Sequence, residues 1–241
     1  MNRIVLVTGG GSGIGKAVAA RFRADGDTVI ITGRDQERLA AAAAELDVRS
    51  IACDAADPRQ LADLAAELGE HLDVLVNMAG GNTDLQRPGE PADLEQVKDA
   101  WRANLDANLL SAVLTTTAVL DKLRPGGTII NVGSIGAEYA STCYGAAKAA
   151  LGAWNAGLSA QIGPRGLTAN LIAPGYIEET GFFHGQLSEQ RRTALIDSTH
   201  NGRPGRPSDL AETAQFLASE GASHITGQTL HGLENSSRAS A

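Results

Sequence analysis

The sequence predicts an α/β fold in three layers: a doubly wound parallel sheet of about seven strands with helices on both faces. Three observations carry that prediction. Short β-branched runs alternate with longer Ala-rich amphipathic stretches along the whole chain. The strand runs are apolar throughout, as strands buried on both faces require. The 241 residues, 43 % hydrophobic and 20 % charged, are enough for one such domain without a second core.

The elements follow in order. Residues 3–8 read as the first strand, and the glycine-rich run behind them opens a helix over 13–24. A β-branched strand over 28–33 leads to an Ala- and Glu-rich helix over 35–46. The third strand spans 48–53, and Asp57-Pro58 sets a proline at the start of a helix over 57–68. After a fourth strand at 74–77 comes one long helix over 93–123, stopped by Pro125-Gly126-Gly127. The fifth strand is 128–132, the next helix 142–162 and the sixth strand 168–172. The interval 175–206 is polar and only partly helical, and its part 176–206 is expected to act as a lid. Arg206-Pro207 then starts a helix over 207–218, and 228–231 is the last strand. Residues 1–231 are thus read as a single domain and 232–241, small and polar, as a flexible tail.

Composition narrows the function classes. Twenty Lys and Arg against 28 Asp and Glu give a formal charge of -8, which disfavours nucleic acid and anionic membrane surfaces as partners. No apolar run reaches membrane length, and the N-terminal run is too short for a signal peptide. Cys53 and Cys143 lie too far apart to form a disulfide framework or a metal knuckle by spacing, so no metal is expected and a reducing, cytoplasmic compartment is. Asn235-Ser236-Ser237 matches a glycosylation acceptor only by chance, without a secretory signal before it.

Chemistry first enters at Thr8-Gly9-Gly10-Gly11-Ser12-Gly13-Ile14-Gly15, between the first strand and its helix. Glycines there let the backbone turn tightly and approach a pyrophosphate, held by the free N–H groups of the helix N-terminus. Strand, loop and helix in order make this a Rossmann-type dinucleotide loop, with Gly9, Gly11, Ser12, Gly13, Ile14 and Gly15 as contact positions. At the end of the second strand, where an NAD site places a carboxylate for the ribose, stand Gly33 and Arg34. Arginine there favours the 2′-phosphate of NADP, with NAD as the alternative. Asp54, at the end of the third strand, can accept a hydrogen bond from the adenine amino group.

Tyr144 and Lys148 are four apart, so on a helix both project into one space. A phenol near pKa 10 is a poor proton donor at neutral pH, and an adjacent ammonium together with the nicotinamide charge can lower that value toward the working range. Tyr139 has Cys143 at the same offset and lacks the cation. Ser134, after the fifth strand, is placed to polarise a substrate carbonyl.

The spacing Thr8-Gly9-x-x-x-Gly13-x-Gly15, then Asn77-Met78-Ala79-Gly80, then Tyr144-Gly145-Ala146-Ala147-Lys148 resembles the short-chain dehydrogenase/reductase family over nearly the whole chain. Asn131-Val132-Gly133-Ser134, Ala173-Pro174-Gly175 and Ile225-Thr226-Gly227-Gln228 make it most like the 3-oxoacyl-(acyl carrier protein) reductase group. The resemblance implies Tyr144 as general acid, Lys148 tuning it and reaching the nicotinamide ribose, and Ser134 orienting the substrate. It also implies an asparagine that links a water to the lysine. Asn108, in Asn108-Leu109-Leu110-Ser111 with Trp101 upstream, fits that position better than Asn104. Asn77, Ala79, Gly80, Pro174, Gly175, Ile177 and Thr180 fall on cofactor-contact positions of the family.

Three features depart from the family pattern. Met78 stands for a second asparagine, the interval from Ser134 to Tyr144 is short, and Gly232-Leu233-Glu234-Asn235 replaces a Gly-Gly pair. The implied activity is an NADPH-dependent carbonyl reductase of 3-oxoacyl type, in a homotetramer or homodimer. Its alternatives are an NAD-linked secondary alcohol dehydrogenase and a non-catalytic dinucleotide-binding redox sensor. The substrate surface is expected around Phe182, Phe183 and Leu187, with Arg191 and Arg192 read either as anion contacts or, equally, as a solvated helix face.

Overall fold

In the computed structural model, which describes residues 2–86, 89, 91–139 and 141–232, the strands form one all-parallel sheet. They are β1 (Ile4–Thr8), β2 (Thr28–Gly33), β3 (Arg49–Ala52), β4 (Leu72–Asn77), β5 (Leu123–Val132), β6 (Thr168–Ala173) and β7 (Thr229–His231). Their order is β3-β2-β1-β4-β5-β6-β7. The direction of winding reverses between β1 and β4, so a crevice opens beyond the C-terminal ends of those two strands. The expected fold class is the observed one.

Helices α1 (Gly13–Ala24), α2 (Gln36–Leu46) and α9 (Pro207–Leu217) cover one face of the sheet. Helices α3 (Pro58–Glu67), α5 (Ser111–Val119) and α7 (Cys143–Ile162) cover the other. The remaining helices are α4 (Leu94–Leu105), the single turn α6 (Gly136–Tyr139) and α8 (Glu189–Asp197). Alternation along each strand feeds two cores. Val5, Val7, Val29 and Ile31 pack with Val18 and Phe22, while Leu6, Ile30 and Leu75 pack with Leu61, Leu64 and Leu158. Burying both faces is what makes these strands read as continuous apolar runs.

Two expectations are corrected. The helix predicted over 93–123 is broken: α4 ends at Leu105, residues Asp106–Leu110 form a π turn, and α5 stops at Val119 before a 3₁₀ turn, Leu120–Lys122. A π turn admits one extra residue and interrupts the i to i+4 ladder, which hydrophobic periodicity does not register. Pro125-Gly126-Gly127 does not stop a helix either. It lies inside β5, where Leu123 pairs with Leu72 and Thr128 pairs with Val74, so the four residues between them bulge opposite Asp73. Arg124 pairs with the Asp73 carboxylate there, and Asp73 also accepts from the Ile4 amide at 2.7 Å.

The interval 176–206 leaves and rejoins the sheet at one pinned stem. Ile177 bridges Gly205, the Glu178 amide donates to the Gly205 carbonyl at 3.0 Å, and the Gly205 amide donates to Tyr176 at 2.9 Å. Of the expected tail, Gly232 donates to the Ala173 carbonyl at 2.7 Å, and residues 233–241 lie outside the described residues.

Candidate active site

The glycine loop is a cradle that side chains would fill. A Cβ on Gly15 would lie 2.3 Å from the Gly9 carbonyl oxygen, so the loop closes onto α1 only with glycine there. Gly9 and Gly13 hold φ of 67° and 51°, which a side chain resists. Ser12, the N-cap of α1, makes no side-chain cap, and no acidic residue stands in the first turn. The helix therefore presents its N–H groups and positive end to the crevice without a capping side chain or an acidic residue of its own first turn to satisfy them. That arrangement fits a dinucleotide pyrophosphate. Gly11 and Ile14 complete the loop, and Thr180 lies opposite Gly13, 3.8 Å from where its Cβ would stand.

Thr8 ties the loop to its neighbour. Its hydroxyl accepts from the Met78 and Ala79 amides, both at 3.0 Å, so the ends of β1 and β4 are held together. A Cβ on Gly9 would sit 3.1 Å from the Ala79 Cα. Thr8 was read only as part of the motif; its signal was a hydroxyl where an interior strand would otherwise carry valine.

Tyr144 and Lys148 occupy the first two turns of α7, whose N-cap Thr142 accepts from the Gly145 amide at 3.0 Å. The Lys148 Nζ lies 5.8 Å from the centre of the Tyr144 ring. Ser134 shares a hydrogen bond with the Tyr144 hydroxyl and accepts from the Gly136 amide at 3.1 Å. The turn α6 takes up the short interval between Ser134 and Tyr144, so the two meet despite it. A cavity of about 200 Å³ reaches Ser134 and Lys148 along α7 and ends at Glu138 and His231, which lie 3.5 Å apart.

Electrostatics differ here from the sequence expectation. Burial pushes the Tyr144 phenol above its ordinary value, with the Ser134 hydrogen bond opposing it. Burial also lowers Lys148 to about 8, and its Nζ donates to the Val132 carbonyl at 2.7 Å. Burial thus sets the direction at Tyr144, and the cofactor's positive nicotinamide, the second half of the expected lowering, acts only with the cofactor bound.

The π turn carries Asn108 at its centre. Asn108 Oδ1 accepts from the Gly81 amide at 3.0 Å, and its Nδ2 donates to the Gly81 carbonyl at 2.9 Å. A Cβ on Gly80 would lie 2.7 Å from Asn108 Oδ1 and 3.5 Å from Lys148 Nζ, so the three residues share one small space. Asn104, the other candidate, instead holds the 3₁₀ turn Thr83–Gln86, donating to Asp84 at 2.8 Å.

Not every expected contact faces the crevice. The Asn77 side chain is buried and donates to Thr116 at 3.0 Å and Asn131 at 2.9 Å, and Asn131 donates to Asn155 at 3.0 Å. Its Nδ2 is therefore held in the core, and its Oδ1 is buried with no hydrogen-bond partner among the described residues. Arg34 is exposed at the end of β2, beside Asp35, the N-cap of α2. Asp54 turns one carboxylate oxygen onto the Ala56 amide at 3.0 Å. Pro174 accepts from the Ile135 amide at 3.1 Å, bringing the Pro174-Gly175 turn against the loop that holds Ser134. The Thr180 hydroxyl donates to the Ile177 carbonyl at 3.2 Å.

The lid supplies a neighbour whose contact with the tyrosine was not foreseen. Phe182 meets the Tyr144 ring edge-on at 5.7 Å, Phe183 meets Phe182 at 5.0 Å, and Tyr176 meets Phe183 at 6.1 Å. Arg192, read as an anion contact or as a solvated helix-face charge, pairs with Glu178 and Glu189, both at 3.3 Å.

The family model described as enoyl-(acyl carrier protein) reductase matches residues 9–232. The chain is 38 % identical to a putative oxidoreductase of Mycobacterium tuberculosis, over 94 % of this chain and 95 % of that one. It is 33 % identical to the 3-oxoacyl-[acyl-carrier-protein] reductase of Escherichia coli K12, over 95 % of each. Among solved structures, a short-chain dehydrogenase of Burkholderia cenocepacia in complex with NADP superposes with a TM-score of 0.84 at 32 % identity. That match covers 98 % of this chain and 97 % of the other.

Proposed function

Because the chain belongs to the short-chain dehydrogenase/reductase family, and is thus an NAD(P)-dependent oxidoreductase acting on CH–OH groups, we propose that it is an NADPH-dependent carbonyl reductase. The observation that carries this reading is the convergence of Ser134, Tyr144 and Lys148 beside the uncapped N-terminus of α1. Among similar structures four name NADP or NADPH and one names NADH; the four support the reading of Arg34 as a contact for the 2′-phosphate, and the one keeps NAD as its alternative. Gly9, Gly11, Ser12, Gly13, Ile14 and Gly15 would hold the pyrophosphate, and Asp54, Ala79, Gly80, Pro174, Gly175, Ile177 and Thr180 the remainder.

Bound NADPH supplies the hydride for the carbonyl carbon. The protein handles the proton. Ser134 donates a hydrogen bond to the carbonyl oxygen and fixes it next to Tyr144. Tyr144 transfers its phenolic proton to that oxygen as the alcohol forms. Lys148, held by Val132, places a cation beside the phenolate left behind and stabilises it. Asn108 pins Gly81, and with it Gly80 beside the lysine, and would keep a water there, through which a solvent proton returns. The lid 176–206 excludes bulk water during transfer.

The 33 % identity to a 3-oxoacyl-carrier reductase makes 3-oxoacyl thioesters one class of ketone to assay. Among the described residues no helix is long and apolar enough to cross a membrane. A cytoplasmic homo-oligomer belongs to the proposal through the family resemblance. The deciding experiment follows NADPH oxidation at 340 nm against a panel of ketones. Turnover that disappears in Tyr144→Phe supports the reading, and NADPH binding without turnover of any ketone overturns it in favour of a sensor.

A further inference from the structure

We propose that the site takes an uncharged ketone bearing a flat aromatic or fused-ring group, in preference to a thioester on a phosphopantetheine arm. This deepens the carbonyl-reductase reading and rests on it. Four rings lie in a row from the catalytic tyrosine: Tyr144, then Phe182 at 5.7 Å, Phe183 at 5.0 Å from Phe182, and the buried Tyr176 at 6.1 Å from Phe183. Phe182 and Phe183 are half-buried, so each keeps apolar ring surface in solvent beside the place where the carbonyl must sit. A flat apolar group on that carbonyl covers this surface by offset or edge-to-face packing.

The lid is also anchored so that the rings stay there. Gln186 donates to the Leu85 carbonyl at 3.1 Å, and His184 lies 3.4 Å from the Gln86 side chain. Glu179 and His184 hold φ of 59° and 49°, strained for residues with side chains, on either side of Phe182 and Phe183. A segment kept in such a conformation has its geometry set by its surroundings, and here those surroundings hold Phe182 against Tyr144 and Phe183 between Phe182 and Tyr176.

The charge at the mouth argues against the phosphopantetheine arm. Its phosphodiester asks for an unpaired cation. Arg192 is shared between Glu178 and Glu189, Arg206 lies 3.6 Å from the same Glu178, and Arg203 lies 2.7 Å from Asp209. Arg191, one position from Arg192 on α8, is turned about 100° around the helix from the arginine that reaches the lid. Glu179 adds an exposed carboxylate beside the lid rings.

The test compares 1-tetralone, 2-decanone and acetoacetyl-coenzyme A as substrates with saturating NADPH, and measures 1-tetralone binding to the NADP-loaded protein by calorimetry. The expectation is a kcat/KM for 1-tetralone about tenfold or more above the other two, the order of one aromatic contact. Phe182→Leu is expected to weaken 1-tetralone binding and raise its KM by about tenfold while 2-decanone changes little. Phe183→Leu, which leaves the Tyr144 contact intact, is expected to do the same to a smaller extent. A preference for the thioester, or an equal effect of both variants on the two ketones, overturns the proposal. If nothing is reduced but 1-tetralone binds and Phe182→Leu weakens it, the carbonyl-reductase reading fails and the aromatic site stands. If 1-tetralone neither binds nor reacts, the aromatic site falls, whatever other ketone is reduced.

Discussion

The Lys148 ammonium donates to the Val132 carbonyl at 2.7 Å, in a fully buried position at the end of β5. Burial lowers this lysine to about 8, below the ordinary 10.5 of the unfolded chain. Its charge is thus present below pH 8 and lost above it. If that charge attracts the dinucleotide, kcat/KM for NADPH falls as pH rises through about 8, because this ratio reports the free enzyme. The same shift has a stability consequence. The buried charge costs stability below pH 8, and the cost disappears as pH rises toward 10.5. Relative to Lys148→Met, the wild type therefore gains about 2 kcal/mol between pH 7 and pH 10. Parallel denaturant titrations check the gain, and a constant difference refutes the shift.

Tyr144→Phe keeps the ring that packs against Phe182 and removes the proton. The expected outcome is loss of turnover by about three decades or more with NADPH affinity unchanged within about threefold. A variant keeping about a tenth of the wild-type rate at neutral pH removes Tyr144 from its role.

Gly33→Asp is expected to shift cofactor preference toward NADH. A Cβ on Gly33 meets only the Leu39 Cδ1, at an ordinary 3.5 Å, so the substitution fits, and the new carboxylate repels a 2′-phosphate. Arg34→Ala is expected to weaken NADPH by about one to two decades, the worth of one charge-assisted contact, with NADH little affected. Equal kcat/KM for the two cofactors in the wild type would point to the NAD-linked alcohol dehydrogenase instead.

Thr8→Val keeps the shape and strands the Met78 and Ala79 amides that now donate to the Thr8 hydroxyl. A loss of about 2 kcal/mol in stability is expected, with weaker NADPH binding, because the phosphate loop is no longer tied to the end of β4. Thr8→Ser, which restores the acceptor, is expected to recover most of both. Recovery of neither means that the methyl group, and not the hydroxyl, does the holding.

Leu94, Val97 and Trp101 are 85 %, 37 % and 42 % exposed and fall at helical spacing on one face of α4. An apolar face of this kind supports the expected homo-oligomer. Light scattering at micromolar concentration is expected to give four times 24.9 kDa, or twice that mass if the chain after β7 lacks a second interface. Trp101→Glu should shift the population toward the single chain. A wild-type species at 24.9 kDa ends the expectation.

The readable features were local ones. A doubly wound parallel sheet follows from alternating periodicities, though its strand order does not, and β2 and α1 have the bounds that the sequence predicts. Gly9, Gly13 and Gly15 announced a cradle because positive φ and a 2.3 Å approach are demands that only glycine meets. Tyr144 and Lys148 were legible for the same reason, since four residues of helix place two side chains together without outside help. Everything that needed a distant partner waited for the tertiary structure. The Asn77 amide turns to Thr116 and Asn131 because strand register puts β5 next to β4. The π turn at Asn108 fits the bonds it makes to Gly81, 27 residues away, and α5 ends at Val119 because β5 begins early against Leu72. The contact of Phe182 with Tyr144 depends on where the lid stem closes at Ile177 and Gly205. Desolvation of Lys148 likewise exists only once α7 is packed, because a dielectric environment is a property of the assembled neighbours and not of any stretch of chain.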